Sequence, residues 1–211
     1  MRIDRLRGLY AVTPDERDTA RLCVKVGAAI DGGATAVQYR NKSADASLRR
    51  EQAQALARIC RQRGALFIVN DEAALASDVD ADGVHLGEDD GAIAQARSQV
   101  KGGSIVGVSC YDDLARAHAL AGEGADYVAF GSFFPSRVKP DARRADVSLI
   151  RAAKSLGVPV VAIGGITSEN VPLLVDAGID AVAVISDVFA HDDLSDVTRA
   201  AARIASCFES S

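Results

Sequence analysis

Short apolar runs punctuate the chain, each separated from the next by a longer stretch in which apolar residues recur every three or four positions. The short runs cover residues 9–13, 36–39, 66–69, 83–86, 105–109, 127–130, 159–163 and 181–185. Each is too brief for a free-standing helix and apolar almost throughout, the pattern of a strand covered on both faces in a parallel sheet. The stretches between and after them, 19–31, 44–63, 72–78, 90–100, 112–122, 147–155, 170–177 and 193–206, read as amphipathic helices. In the second, Leu48, Ala55, Leu56 and Ile59 form the predicted apolar stripe, while Arg49, Arg50, Glu51 and Arg58 read as a solvated face.

Three helix-to-strand joints look alike: Asp31-Gly32-Gly33-Ala34, Gly122-Glu123-Gly124-Ala125-Asp126 and Asp176-Ala177-Gly178-Ile179-Asp180. Glycine can take the left-handed backbone that often ends a helix, so a strand can start within a few residues. Eight strand–helix alternations with short connections favour a closed (β/α)8 TIM barrel over a doubly wound sheet. Its 211 residues make a single TIM-barrel domain, 1–211. The longest departure is the strand-to-helix segment 131–144, a candidate lid or a plain surface excursion.

Composition narrows the function. With 48% hydrophobic residues, 25% charged residues and a net charge of -5, the chain is of the globular class and gives no electrostatic reason to expect nucleic acid. An anionic ligand must therefore be caught locally. Cys23, Cys60, Cys110 and Cys207 are scattered, without zinc or redox spacing, and read as reduced thiols. The first residues lack the apolar region of a signal peptide, and no apolar run approaches the roughly 20 residues of a membrane span. The expectation is a cytoplasmic protein with no membrane partner.

The unusual polar residues all fall at the carboxyl ends of predicted strands, which in a closed barrel share one mouth. Gln38, Arg40 and Lys42 end the second strand, and alternation turns them the same way if the extended backbone persists. Arginine offers a fork and lysine a mobile charge, so Arg40, Lys42 and Lys139 together could balance a pyrophosphate. Alone, Arg40 and Lys42 also fit two solvated residues at a strand end. Asn70 and Asp71 end the third strand, and Asp89 and Asp90 follow the fourth. Asp71 and Asp90 supply hard oxygens suited to Mg²⁺, although Asp89 and Asp90 equally suit a helix N-terminus. Ser109 ends the fifth strand. Gly164-Gly165 after the seventh and Ser186 after the eighth fit a phosphate cradle, with an ordinary turn as the plainer reading. His85 reads as a packed, hydrogen-bonded strand residue, and no Ser/His/Asp or Cys/His relay is apparent.

These segments together resemble the thiamine-phosphate synthase family over essentially the whole chain. The resemblance rests on Gln38-x-Arg40-x-Lys42, Phe67-Ile68-Val69-Asn70-Asp71, Asp82-Gly83-Val84-His85-Leu86-Gly87 with Asp90, Gly107-Val108-Ser109, Ala162-Ile163-Gly164-Gly165-Ile166 and Val184-Ile185-Ser186. It implies a transferase that joins hydroxymethylpyrimidine diphosphate to hydroxyethylthiazole phosphate, giving thiamine phosphate and diphosphate. It also implies that Gln38, Arg40, Lys42, Asn70, Ser109 and Lys139 hold the pyrimidine diphosphate and that Asp71 and Asp90 bind Mg²⁺. Arg40, Lys42 and Lys139 then carry the catalytic charge. The thiazole phosphate would sit on Gly165, Ile185 and Ser186 beneath Ser136, Arg137 and Val138. The family often has Thr-x-Thr-Lys in that loop; here Ser136-Arg137-Val138-Lys139 keeps the first hydroxyl and loses the second. Alternatives are a thiazole tautomerase of the same superfamily, which needs no diphosphate site, and a non-catalytic phosphate-binding barrel.

Overall fold

The computed structural model describes residues 2–87, 91–135 and 144–209. Eight parallel strands form a closed barrel in sequence order: β1 Gly8–Val12, β2 Ala34–Tyr39, β3 Leu66–Asn70, β4 Gly83–Leu86, β5 Ile105–Tyr111, β6 Tyr127–Gly131, β7 Val160–Ile163 and β8 Ala181–Val184. Among the described residues the α-helices are α1 Thr19–Asp31, α2 Ala46–Arg63, α3 Ala73–Asp78, α4 Ile93–Gln99, α5 Leu114–Gly122, α6 Ser148–Ala153, α7 Val171–Asp176, α8 Ser186–Phe189 and α9 Leu194–Ser206. The (β/α)8 expectation is met, including closure.

Strand alternation divides the core in two. Tyr10, Val12, Ala36, Ile68, Ile105, Tyr127, Val161 and Ala183 fill the barrel, and Leu6 joins them from the loop before β1. Leu9, Val37, Phe67, Val84, Val128 and Val182 face outwards and pack under the helices. Both faces of each strand are thus covered, which is why the strands read as continuous apolar runs.

Two helices start two residues later than expected because an aspartate caps each. Asp45 Oδ1 accepts from the Leu48 amide (2.9 Å) and Asp113 Oδ1 from the Arg116 amide (3.0 Å), so α2 and α5 begin after their aspartates rather than at 44 and 112. The buried stripe of α2 is also displaced. It runs through Gln52, Ala53, Leu56, Ala57 and Cys60, with Leu48 and Ile59 only half-buried. Gln52 joins it because both ends of its amide have partners: Oε1 accepts from Tyr39 and Asn41, and Nε2 donates to the Glu16 carbonyl. The helix-to-strand joints do use left-handed glycine, at Gly33, Gly124 and Gly178, but Gly32 has φ -83 and Gly122 stays within α5. Helix α8 is an element that periodicity did not predict, since four residues are too few to show one.

The amino-terminal rim is stapled by a device that recurs every second strand. Asp82, Asp126 and Asp180, each just ahead of its strand, accept the amide of Phe67, Val106 and Val160 at 2.9, 2.7 and 2.8 Å. A buried donor at the start of each of β3, β5 and β7 is thereby satisfied.

The four cysteines are free thiols; Cys60 and Cys110 are buried. Burial pushes both thiols up to about 12, against about 8.5 in an unfolded chain. Between those values the unfolded chain gives up thiol protons that the folded chain keeps, so stability falls as pH rises. Urea midpoints measured from about pH 8 to pH 10.5 are expected to drop more steeply for the wild type than for a Cys60→Ala/Cys110→Ala variant.

Candidate active site

At the end of β2 the chain alternates sides. Tyr39 points to the helices, where its hydroxyl donates to Gln52 Oε1 at 2.9 Å. Asn41, buried, donates through Nδ2 to the same oxygen at 3.0 Å and to the Glu16 carbonyl at 2.6 Å. With those two anchored outwards, Arg40 and Lys42 are presented to the mouth. The Thr13 hydroxyl accepts from the Arg40 amide (2.8 Å) and donates to the Arg40 carbonyl (2.9 Å), joining the end of β2 to the end of β1. Asp15 lies 3.6 Å from the Arg40 guanidinium and accepts from the Lys42 amide at 3.1 Å.

Lys42 Nζ comes within 3.8 Å of Asp71 Oδ2. Asp71 sits just past β3 at φ 65, a left-handed conformation that aspartate tolerates better than most residues, and its amide donates to the His85 carbonyl at 2.8 Å. Arg40, Lys42, Asn70 and Asp71 line one cleft of about 390 Å³, which also takes in the outward-facing Tyr39, Asn41 and Val69 and so reaches from the rim towards α2 and α3. Arg49 and Glu72 wall it, with Arg49 Nε 2.8 Å from Glu72 Oε1 in an ion pair whose angles do not make a hydrogen bond. Arg49 is therefore part of the cleft wall, not of the solvated face expected for it.

Gln38 and Ser109 meet through the inside of the barrel. Gln38 Nε2 donates to Tyr10 Oη (2.9 Å), Tyr10 Oη lies 3.0 Å from Tyr127 Oη, Tyr127 Oη lies 2.8 Å from His85 Nδ1, and His85 Nε2 lies 2.9 Å from Ser109 Oγ. Burial raises the pKa of both phenols, so they remain hydroxyls. The expectation for His85, packed and hydrogen-bonded, is borne out. Tyr10 and Tyr127 were not singled out in the sequence. The signal available was a tyrosine at an inward strand position beside an inward glycine: a Cβ on Gly107 would lie 1.9 Å from Tyr127 Cζ.

After β7, Gly164 and Gly165 both have positive φ, 101 and 64. The segment after β6 crosses directly over them; a Cβ on Gly165 would meet the Pro135 carbonyl oxygen at 2.3 Å. Ile185 leads into α8, which Ser186 opens at the surface. Two contacts pin this single turn: Asp187 accepts from the Ser168 amide (3.1 Å), and the buried Lys25 donates to the Phe189 carbonyl (3.2 Å) at its carboxyl end. Asp89, Asp90, Ser136, Arg137, Val138 and Lys139 lie outside the described residues.

The donor chemistry of the described residues fits Mg²⁺. Asp71 is a carboxylate beside two cations, and Mg²⁺ typically needs only one or two protein carboxylates, with water and phosphate oxygens completing its shell. Among the described residues no group of three or more His, Cys, Asp or Glu side chains could hold a metal by itself.

A closed (β/α)8 barrel with cations, a carboxylate and a Gly-Gly turn on its carboxyl rim is a barrel of the phosphate-handling class. The sequence profile of the family described as thiamine monophosphate synthase matches residues 9–188. A thiamine-phosphate synthase of Chromobacterium violaceum is 53% identical over 94% of this chain and 96% of that protein. One of Xanthomonas campestris is 54% identical over 89% of this chain and 90% of that one. The solved thiamine phosphate pyrophosphorylase of Pyrococcus furiosus superposes with a TM-score of 0.81 at 34% identity, covering 98% of this chain and 97% of that chain. The chain belongs to the thiamine monophosphate synthase family.

Gly107→Ala is expected to cost about 1–3 kcal/mol, because the buried Tyr127 ring occupies the space a methyl would need. Urea denaturation measures this, with wild-type stability as the outcome that contradicts the packing.

Proposed function

We propose that the mouth of this barrel joins hydroxymethylpyrimidine diphosphate to hydroxyethylthiazole phosphate, forming thiamine phosphate and releasing diphosphate. The observation that carries this reading is the Lys42–Asp71 approach inside a cleft that Arg40 and Asn70 also line. A cation and a carboxylate held 3.8 Å apart suit a negatively charged ligand that arrives with a divalent cation. Relatives named for this reaction, more than half identical along most of the chain, support it.

Bond cleavage leaves negative charge on the departing diphosphate. Arg40 and Lys42, with Lys139 from the sixth loop, would take up that charge as it develops. Mg²⁺, held by Asp71 and Asp90, would supply Lewis-acid neutralisation of the same oxygens. Gln38, Asn70 and Ser109 would hold the pyrimidine so that its methylene faces the thiazole nitrogen, while Gly165, Ile185 and Ser186, with 136–138, hold the thiazole phosphate. Attack by that nitrogen on the electron-poor methylene forms the new C–N bond, and no protein nucleophile is needed. Phosphorylated small molecules are thus the partners, and a cytoplasmic location goes with the four free thiols.

The test is formation of thiamine phosphate with and without Mg²⁺. Asp71→Asn keeps a residue that tolerates φ 65 and removes the charge. Turnover is expected to fall roughly hundredfold or more with an unchanged urea midpoint; near-normal turnover in this variant would end the assignment of Asp71.

A further inference from the structure

The hydrogen-bonded series across the barrel interior has a direction, and the direction is set at one end. An amide nitrogen can only donate, so Tyr10 Oη accepts from Gln38 Nε2. The Tyr10 hydrogen is then available to Tyr127 Oη, 3.0 Å away. Having accepted it, Tyr127 gives its own hydrogen to His85 Nδ1 at 2.8 Å. A ring nitrogen that accepts carries no proton, so the imidazole proton is on Nε2, 2.9 Å from Ser109 Oγ. Ser109 accepts that bond. Its own hydrogen is therefore directed away from His85, and Ser109 lies near the carboxyl end of β5.

We propose that Gln38 fixes His85 in the Nε2–H tautomer through Tyr10 and Tyr127, and that this leaves Ser109 as an obligatory hydrogen-bond donor to the bound substrate. The reversed series would require the Gln38 amide to turn over and present Oε1 to the Tyr10 hydroxyl, the opposite of the orientation the structure has. Both phenols are buried in the barrel interior, and burial keeps each protonated and so able to pass the direction on. Tyr10 and Tyr127 are positioning residues here; neither needs to touch substrate. The acceptor served by Ser109 belongs to the pyrimidine diphosphate, which rests on the function proposed above, whereas the tautomer does not depend on it.

Nitrogen-15 spectra of histidine-labelled protein at about pH 8, above the ordinary histidine value of about 6.5, test the tautomer directly. The His85 signals, assigned by their loss in His85→Asn, are expected to show a bare Nδ1 and a protonated Nε2. Gln38→Met removes the directing donor, and Tyr10→Phe breaks the series with almost no change of volume. In either variant that folds, the Nδ1–H form should grow in beside the other. A proton on Nδ1 in the wild type, or a wild-type pattern in both variants, would overturn the proposal. In turnover, Tyr10→Phe should raise KM for the pyrimidine diphosphate roughly threefold to tenfold with little change for the thiazole phosphate, and Ser109→Ala should cost less in that background than in the wild type. Equal rises in both KM values, or full additivity, would mean a merely structural role for the series. A wild type that makes no thiamine phosphate would defeat the function reading and leave the tautomer measurement standing.

Discussion

Closure of eight parallel strands on themselves sends every strand's carboxyl end to one rim and every second side chain to the interior. From those two facts the rest follows. Arg40, Asn70, Asp71 and Ser109 are far apart in sequence yet belong to strand ends on one ring. The pairing of Asn70 with His85 across β3 and β4 is a consequence of the same register. Charge can be concentrated at the rim because water and ligand reach it there, while the strands beneath remain apolar on both faces.

The interior carries one exception to that apolar rule. Gln38, Tyr10, Tyr127, His85 and Ser109 place polar atoms where leaving any one unpaired would cost about 1–3 kcal/mol. Each has a partner at 2.8 to 3.0 Å, so the series adds rigidity instead of strain. Gly107 makes room for the Tyr127 ring that bridges it. A glycine in the motif around Ser109 thus serves the site indirectly, by permitting a tyrosine on β6, across the barrel from Gln38 on β2, to lie over the interior.

The two ends of the barrel have been given different work. At the amino-terminal rim Asp82, Asp126 and Asp180 close off strand amides, and the last two also meet Arg97 and Lys154. Those carboxylates are committed to structure. At the carboxyl rim Asp71 is held in a left-handed backbone with its carboxylate beside Lys42, an arrangement whose local cost is offset by the strand pairing around it. Acidic residues of the same type therefore serve opposite ends of the fold for different reasons.

Much of this was legible in the sequence because it depends on period. Alternating apolar runs and amphipathic stretches follow from strand and helix geometry, and they were enough for the element order, the barrel and the clustering of Gln38, Arg40, Lys42, Asn70, Asp71 and Ser109 at strand ends. The family motifs, being local in sequence, were legible for the same reason. What periodicity could not supply is anything that depends on which distant groups meet. The capping by Asp45 and Asp113, the inward Gln52, the Arg49–Glu72 wall and the four-residue α8 are decided by contacts too local or too distant for a period to register. The amino-acid sequence by itself determined the barrel and the residues on its rim; only the tertiary structure decided that Gln38 and Ser109 are joined through two tyrosines and a histidine, because hydrogen bonds form between neighbours in space, and space is set by closure of the sheet.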